Sequence, residues 1–480
     1  MDCLDKAAKH GDCADPQGNE SVVSIEIQNV LIHDALKQRR KAIQALAFAS
    51  FLGAAAWILV ALPDWIGWTT PLLVIVPGLL AIAVLRSSVI SAAYLLLVTI
   101  NFGVSSLILG SQWQPGLTSA VLTWSFAIAA GTLLVGQTAS RHTLTGWKSW
   151  PEPSWPHYVL SGGLIAVSLF LTVFHSSGYE AQITNGSSTP TGILGTLSAA
   201  APIVTLTLLL NCIGSDRRSR GAIGLAGAQI VVLALSGFRG AVGVFIISTL
   251  VGAALTLPRG SAWRRRSRLV IVLPLLLILT ISGFILAANV RSTAASSLGV
   301  TSSGTQLFTL DNAVIKTATR MQLASSLDTA LKHRNDTAAK EAVSWTTQVE
   351  ALIPRFLWPE KPNVDYGQRV SVAMYGLAYG QSSSTVTTIG DSLLNFGRVG
   401  LILMGLLVGY AFRWVASRVD AGASVLPILV SVIVVYSGLN QEGPIILILV
   451  DILRNGLLAG GLWAVAALMT NRQMTKVQTR

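Results

Sequence analysis

Between Val290 and Ile389 the chain carries Arg320, Arg355, Lys361 and Arg369 together with Trp358, Tyr366, Tyr375 and Tyr379, and just beyond them Asp391, Asn395 and Arg398. Arginine forks match phosphate oxygens and stay charged at any working pH, so such a set suits an anionic group. A carboxylate suits proton abstraction from a hydroxyl, and Asp391 and Glu442 (in Asn440-Gln-Glu-Gly-Pro444) are the candidates, with His175 and His333 as alternatives. Each residue also has a plainer reading. Arg398 and Arg320 fit interfacial anchors, Arg369 a solvated charge, and Asp391 a carboxylate favoured at its own helix N-terminus. Trp358, Tyr366 and Tyr379 can stack on sugar faces, but aromatic rings also anchor membrane proteins. Asp451 and Arg454 stand at i, i+3 in an apolar run and read as a structural pair. No Cys/His spacing suggests a metal and no phosphate loop or nucleotide fingerprint occurs, so neither metal nor cofactor is expected.

The elements that position these residues must be membrane helices. With 52% hydrophobic and 12% charged residues and a mean hydropathy of +0.60, the chain is too apolar for a water-soluble core. Apolar runs near bilayer length predict about twelve spans: 43–62, 69–85, 88–109, 117–137, 157–174, 191–212, 221–236, 240–257, 269–289, 393–412, 424–439 and 445–469. The class is an all-α polytopic membrane protein with one large extracytoplasmic loop between spans nine and ten. Basic residues in the short links fall on one side: Arg39-Arg40-Lys41, Arg86, Arg141, Arg217-Arg218, Arg264-Arg265-Arg266, Arg413 and Arg472. The opposite short links hold Arg239 as their single basic residue. Positive charge marks the cytoplasmic side, so both termini are expected inside a cytoplasmic (inner) membrane and the long loop outside. The net charge of +12 follows mostly from this bias and calls for no nucleic acid.

The predicted division is a cytoplasmic tail (1–42), spans one to nine (43–289), the outer loop (290–389), spans ten to twelve (390–470) and a second cytoplasmic tail (471–480). Residues 22–40 have the pattern of an amphipathic helix. Cys3, Cys13 and Cys212 map to the cytoplasmic side and are expected as free thiols. Within the loop, spacing predicts helices over 310–333 and 338–352. Pro354, Pro359 and Pro362 then predict an irregular, rigid stretch. The loop reads as a cap on the bundle, not as an independent domain.

The run Ile353-Pro-Arg-Phe-Leu-Trp-Pro-Glu-Lys-Pro362, a Ser/Thr cluster, and Gly390-Asp-Ser-Leu-Leu-Asn-Phe-Gly-Arg-Val-Gly400 together resemble the oligosaccharide repeat-unit polymerase family, the O-antigen polymerase (Wzy-like) group. Ser236-Gly-Phe-Arg-Gly240 is similar to that family's outer Arg-Gly turn, and the ten residues between Arg369 and Gly380 match its Arg-to-Gly spacing. The close resemblance covers residues 350–400 and the Arg239 turn; Asp391 stands where the family often has Glu. The resemblance implies a metal-independent glycosyltransferase that joins polyprenyl-diphosphate-linked oligosaccharides at the outer face of the membrane. Arg239, Arg355, Arg369, Arg398, Lys361 and Arg320 would then face the diphosphate. A chain-length regulator and a flippase of the same pathway would be partners beside the lipid bilayer. Two alternatives stay open: an O-antigen-ligase-like transferase, and a transporter or flippase of lipid-linked sugars.

Overall fold

A computed structural model of the chain describes residues 69–85, 87–135, 153–174, 193–214, 220–237, 239–256, 286–287, 289–290, 315, 318–319, 321–350, 353, 358, 366–378, 384–420 and 425–478. Every regular element among them is helical. Seven apolar helices come first: α1 (Thr69–Val84), α2 (Val89–Ile108), α3 (Pro115–Val135), α4 (Trp155–Val173), α5 (Ile193–Gly214), α6 (Arg220–Leu235) and α7 (Arg239–Thr256). Four short polar helices follow: α8 (Ala324–Lys332), α9 (Thr337–Ala342), α10 (Trp345–Val349) and α11 (Tyr366–Tyr375). Three more apolar helices close the chain: α12 (Thr388–Asp420), α13 (Val425–Gly438) and α14 (Ile445–Gln478). Six helices are long and apolar enough to cross a membrane: α2 to α5, α12 and α14. The remaining apolar four are shorter. Helices satisfy their own backbone groups, which hydrocarbon cannot do. The spans expected over 43–62 and most of 269–289 lie outside the described residues.

The tightest helix pair is α3 with α12, and small residues make it so. Gly405 and Gly409 stand four apart on α12 and face Ala127, Ile128 and Gly131 of α3; a Cβ added to Gly131 would strike the Leu406 carbonyl, and one added to Gly409 the Ile128 carbonyl. This is small-xxx-small packing, in which backbones approach because no side chain intervenes. The spacing was visible as Gly405-Leu-Leu-Val-Gly409 and Ala127-Ile-Ala-Ala-Gly131.

The two ends of the bundle differ. At one end Arg413 donates to the Ser87 carbonyl between α1 and α2, Ser154 and Thr470 hydroxyls lie 2.6 Å apart, and Tyr158 meets Cys212 at 3.4 Å. Cys212 is a buried free thiol. The polar helices α8 to α11 pack on the other end. Leu323, Ala324 and Leu327 join the bundle's core beside Phe102, Leu117 and Ile389. Ala330, Val343, Tyr366, Val370, Met374 and Leu394 form a second, smaller core between the polar helices and the start of α12. The segment is therefore a cap seated on the bundle.

Its details depart from expectation in several places. Of the helix expected over 310–333, the described part is interrupted at Gln322 and Leu323, and α8 begins at Ala324. The helix expected over 338–352 is two, α9 and α10, because Ser344 takes extended ψ (131°) and starts α10 afresh. Residues 366–375, where no helix was expected, form α11: Tyr366, Val370 and Met374 repeat at i, i+4 and are buried. Gly376, at φ 64°, ends that helix in the left-handed region. Finally, α12 begins at Thr388 but is broken at Gly397 (φ 64°, ψ −158°), which separates a short cap-side piece, 388–396, from the long piece, 398–420.

Filling the α3–α12 contact tests this account. Gly409→Leu is expected to cost about 1–3 kcal/mol as overpacking and to lower the unfolding temperature in detergent. Gly460→Leu, on an open face of α14, is expected to leave it unchanged.

Candidate functional site

Thr387 and Thr388 start α12 at the cap end: Gly390 N–H donates to Thr387 Oγ1 (3.1 Å) and Asp391 N–H to the Thr387 carbonyl (2.8 Å). One turn in, Asp391 turns away from solvent and is 0% exposed. Its Oδ1 accepts from Gln348 Nε2 (3.3 Å) and Asn395 Nδ2 (3.1 Å); its Oδ2 accepts from Trp345 Nε1 (3.3 Å) and the Ile445 backbone N–H (3.2 Å). Two donors per oxygen fill the four lone-pair positions of a carboxylate. The donors come from α10, from α12 itself and from the first residue of α14. Burial of a carboxylate is costly unless it is hydrogen-bonded, and here the bonds are complete. No cation pairs with it among the described residues.

Asp391 was expected as an open base or as a carboxylate serving its own helix N-terminus. It lies in the first turn of α12, as the second reading has it, and it also satisfies an orphan N–H of another helix, α14, where the dipole likewise favours negative charge. Around it, Asn395 Nδ2 also donates to the Val343 carbonyl (3.0 Å), Asn395 Oδ1 accepts from Trp345 N–H (3.3 Å), and the Trp345 ring meets Phe396 edge-on at 4.4 Å. Gln348 Nε2 donates at 2.6 Å to the Val343 carbonyl. Trp345 and Gln348 were not among the sequence candidates. Their signal, a Trp and a Gln three apart on a short cap helix, has no pattern that stands out from a surface.

The loop between α13 and α14 is pinned equally well. Gln441, buried, donates to the Tyr94 carbonyl (3.0 Å) and accepts from Asn101 Nδ2 (3.1 Å). Thr388 N–H donates to the Gln441 carbonyl (3.0 Å) and Thr388 Oγ1 to the Gly443 carbonyl (2.8 Å). Asn101 belongs to a π-helical turn of α2, Thr99–Val104, and its carbonyl accepts from Ser105 Oγ (2.7 Å) and from Leu323 N–H (3.1 Å) at the start of α8. Between these fixed neighbours Glu442 is exposed, its N–H donating to Asn440 Oδ1 at 3.0 Å.

The other candidates divide. Arg239 begins α7, whose far end packs beside the Cys212 end of α5 through Gly252 and Leu210, so Arg239 lies at the cap end; its side chain is outside the described residues. Arg369 is half-buried on α11, and Arg398 is exposed directly after the Gly397 break. Trp358 is half-buried, whereas Arg320, Arg355, Lys361, Tyr379 and His175 lie outside the described residues. His333 Nδ1 meets Asp336 at 2.7 Å within the cap. Asp451 and Arg454 pair within α14 at 2.7 Å, as their spacing suggested.

Tyr366 is a correction. Expected to stack on sugar, it is 5% exposed in the cap core, so its ring faces protein on both sides. Burial, and next the negative charge of Asp391, push its phenol well above the usual tyrosine range; the Val386 backbone pulls the other way without an acceptor in hydrogen-bond geometry. The phenol stays neutral at any working pH. No family model, curated protein or solved structure matches this chain. Its site is therefore read from its own geometry.

Two substitutions check that reading. Asp391→Ala strands up to four donors, each worth roughly 1–3 kcal/mol where water cannot reach it, and is expected to lower the unfolding temperature and expose residues 324–378 to protease. Tyr366→Phe removes a hydroxyl without a partner and is expected to leave stability equal or higher by thermal unfolding.

Proposed function

We propose that this protein is a membrane glycosyltransferase that polymerises polyprenyl-diphosphate-linked oligosaccharide repeat units, with the cap end of the bundle at the outer face of a cytoplasmic membrane. The observation that carries the reading is the cap itself. The described residues on either side of the polymerase-like run, 321–350 and 366–378, are folded onto the bundle end where α7 begins with Arg239. The described arginines of the short links, Arg220 and Arg413, stand at the other end. By the positive-inside rule the cap end then faces outward. A twelve-span arrangement with both termini inside is part of the same proposal.

The chemistry follows from the substrate class. The growing chain is the donor; a hydroxyl of the incoming lipid-linked unit attacks its anomeric carbon, a glycosidic C–O bond forms, and the anomeric C–O bond to diphosphate breaks with its electron pair. Polyprenyl diphosphate leaves and the hydroxyl proton passes to a base. A diphosphate needs charge stabilisation more than protonation, and arginines aimed at it stabilise the developing charge. Arg239 and Arg355 are assigned that role first, and Arg369, Arg398, Lys361 and Arg320 are assigned to it after them. Trp358 and Tyr379 are assigned to the sugar faces.

Reconstitution of the purified protein with a lipid-linked repeat unit tests the proposal. A ladder of products is expected. One-step transfer to a different acceptor would identify a ligase, and movement across the bilayer without a new bond a flippase. Arg239→Ala and Arg355→Ala are each expected to cut chain growth about 100-fold or more, the scale of losing one transition-state charge contact, while the protein still inserts. Wild-type polymer lengths in either variant remove that residue from the site.

A further inference from the structure

The two carboxylates at the cap end are built for different work. Asp391 has no exposed surface, and each of its oxygens already accepts two hydrogen bonds. A base must offer a lone pair to the proton it takes, within hydrogen-bond reach of the substrate. Asp391, as seated, offers none. What it does hold is position. Through Trp345 and Gln348 it ties down the cap, and through the Ile445 N–H it fixes the first residue of α14.

Glu442 differs in its exposure. It is exposed, three residues before the Ile445 anchor, and flanked on both sides by pinned backbone: the Gln441 and Gly443 carbonyls both accept from Thr388. Gln441 is itself locked to Tyr94 and Asn101 of α2. An exposed carboxylate on a rigid loop is what a general base needs, because misplacement by about 1 Å costs roughly 100-fold in rate. Loops of this kind, positioned by a rigid scaffold, often carry catalytic groups.

Resting on the polymerase reading above, we infer that Glu442 is the proton acceptor for the attacking hydroxyl and that Asp391 is a positioning residue, a clasp that joins the cap to the loop carrying Glu442. In the transfer step the acceptor O–H proton moves to the Glu442 carboxylate as the glycosidic bond forms. The electron pair of the broken anomeric bond leaves on diphosphate, and the protonated Glu442 returns its proton to solvent.

The test combines turnover with amide hydrogen exchange on the full chain in lipid nanodiscs, with the lipid-linked repeat unit as substrate. Glu442→Gln is expected to lower kcat about 10²–10⁴-fold, with KM and exchange at residues 324–378 as in the wild type. Asp391→Asn is expected to speed exchange at 324–350 and 445–448 and to raise KM, while keeping the acidic limb of the kcat/KM pH profile. Trp345→Phe, which removes one donor and preserves the ring, is expected to act in the same direction more weakly and covers the case in which Asp391→Asn fails to fold. Wild-type turnover in Glu442→Gln overturns the base assignment. Wild-type exchange in Asp391→Asn, or in Trp345→Phe where the first does not fold, overturns the clasp, and loss of the acidic limb in Asp391→Asn would make Asp391 the base. If the wild-type protein forms no glycosidic bond, the polymerase reading fails and the base assignment with it, while the exchange measurement still decides the clasp.

Discussion

A single buried carboxylate sets the geometry at the cap end. The four donors of Asp391 belong to three elements that are far apart in the chain, and only the folded state brings them together. Such a group specifies structure by intolerance. An alternative packing of α10 or of the α14 start would leave a charge or several N–H groups unpaired in a place water does not reach. The Gln441 network repeats the logic one loop away, so the cap floor is held by polar bonds while the bundle below it is held by close backbone packing.

That difference in cohesion divides the molecule mechanically. α3 and α12 touch backbone to backbone through Gly131, Gly405 and Gly409 and have no side chains that can yield. The cap's own core is small, and the cap is attached through Leu323, Ala324 and Leu327 in the bundle's core and through the Trp345 and Gln348 hydrogen bonds to Asp391, both 3.3 Å. The Gly397 break lies between the two regimes. Residues 388–396 belong by their contacts to the cap floor, and residues 398–420 to the bundle.

How far the sequence discloses this depends on the kind of signal. Hydropathy has a long period and a large energy behind it, so the ten apolar helices described sit close to the expected spans, and the intrahelical Asp451–Arg454 pair follows from spacing alone. The cap helix α11 is equally present in the sequence, as Tyr366, Val370 and Met374 at i, i+4, but a pattern of ten residues is too short to stand out beside the spans. The seat of Asp391 was not legible at all. It depends on which donors the fold delivers to one point, and Trp345, Gln348 and Ile445 carry no local mark of that meeting. Tyr366 illustrates the reverse error, since an aromatic residue in a polar loop looks like a ligand platform until its ring is seen packed on both faces.

The π turn at Thr99–Val104 has a consequence for reading relatives of this chain. A π turn holds one residue more than an α-helical path would, so the faces of α2 before and after it are offset by about 100°. No single helical wheel describes 89–108. A homologue lacking one residue there would keep both apolar faces and the same overall hydropathy, yet would turn away the Asn101 carbonyl on which Leu323 hangs. Gaps of one residue in this helix are therefore events in the attachment of the cap, although they fall in another part of the chain.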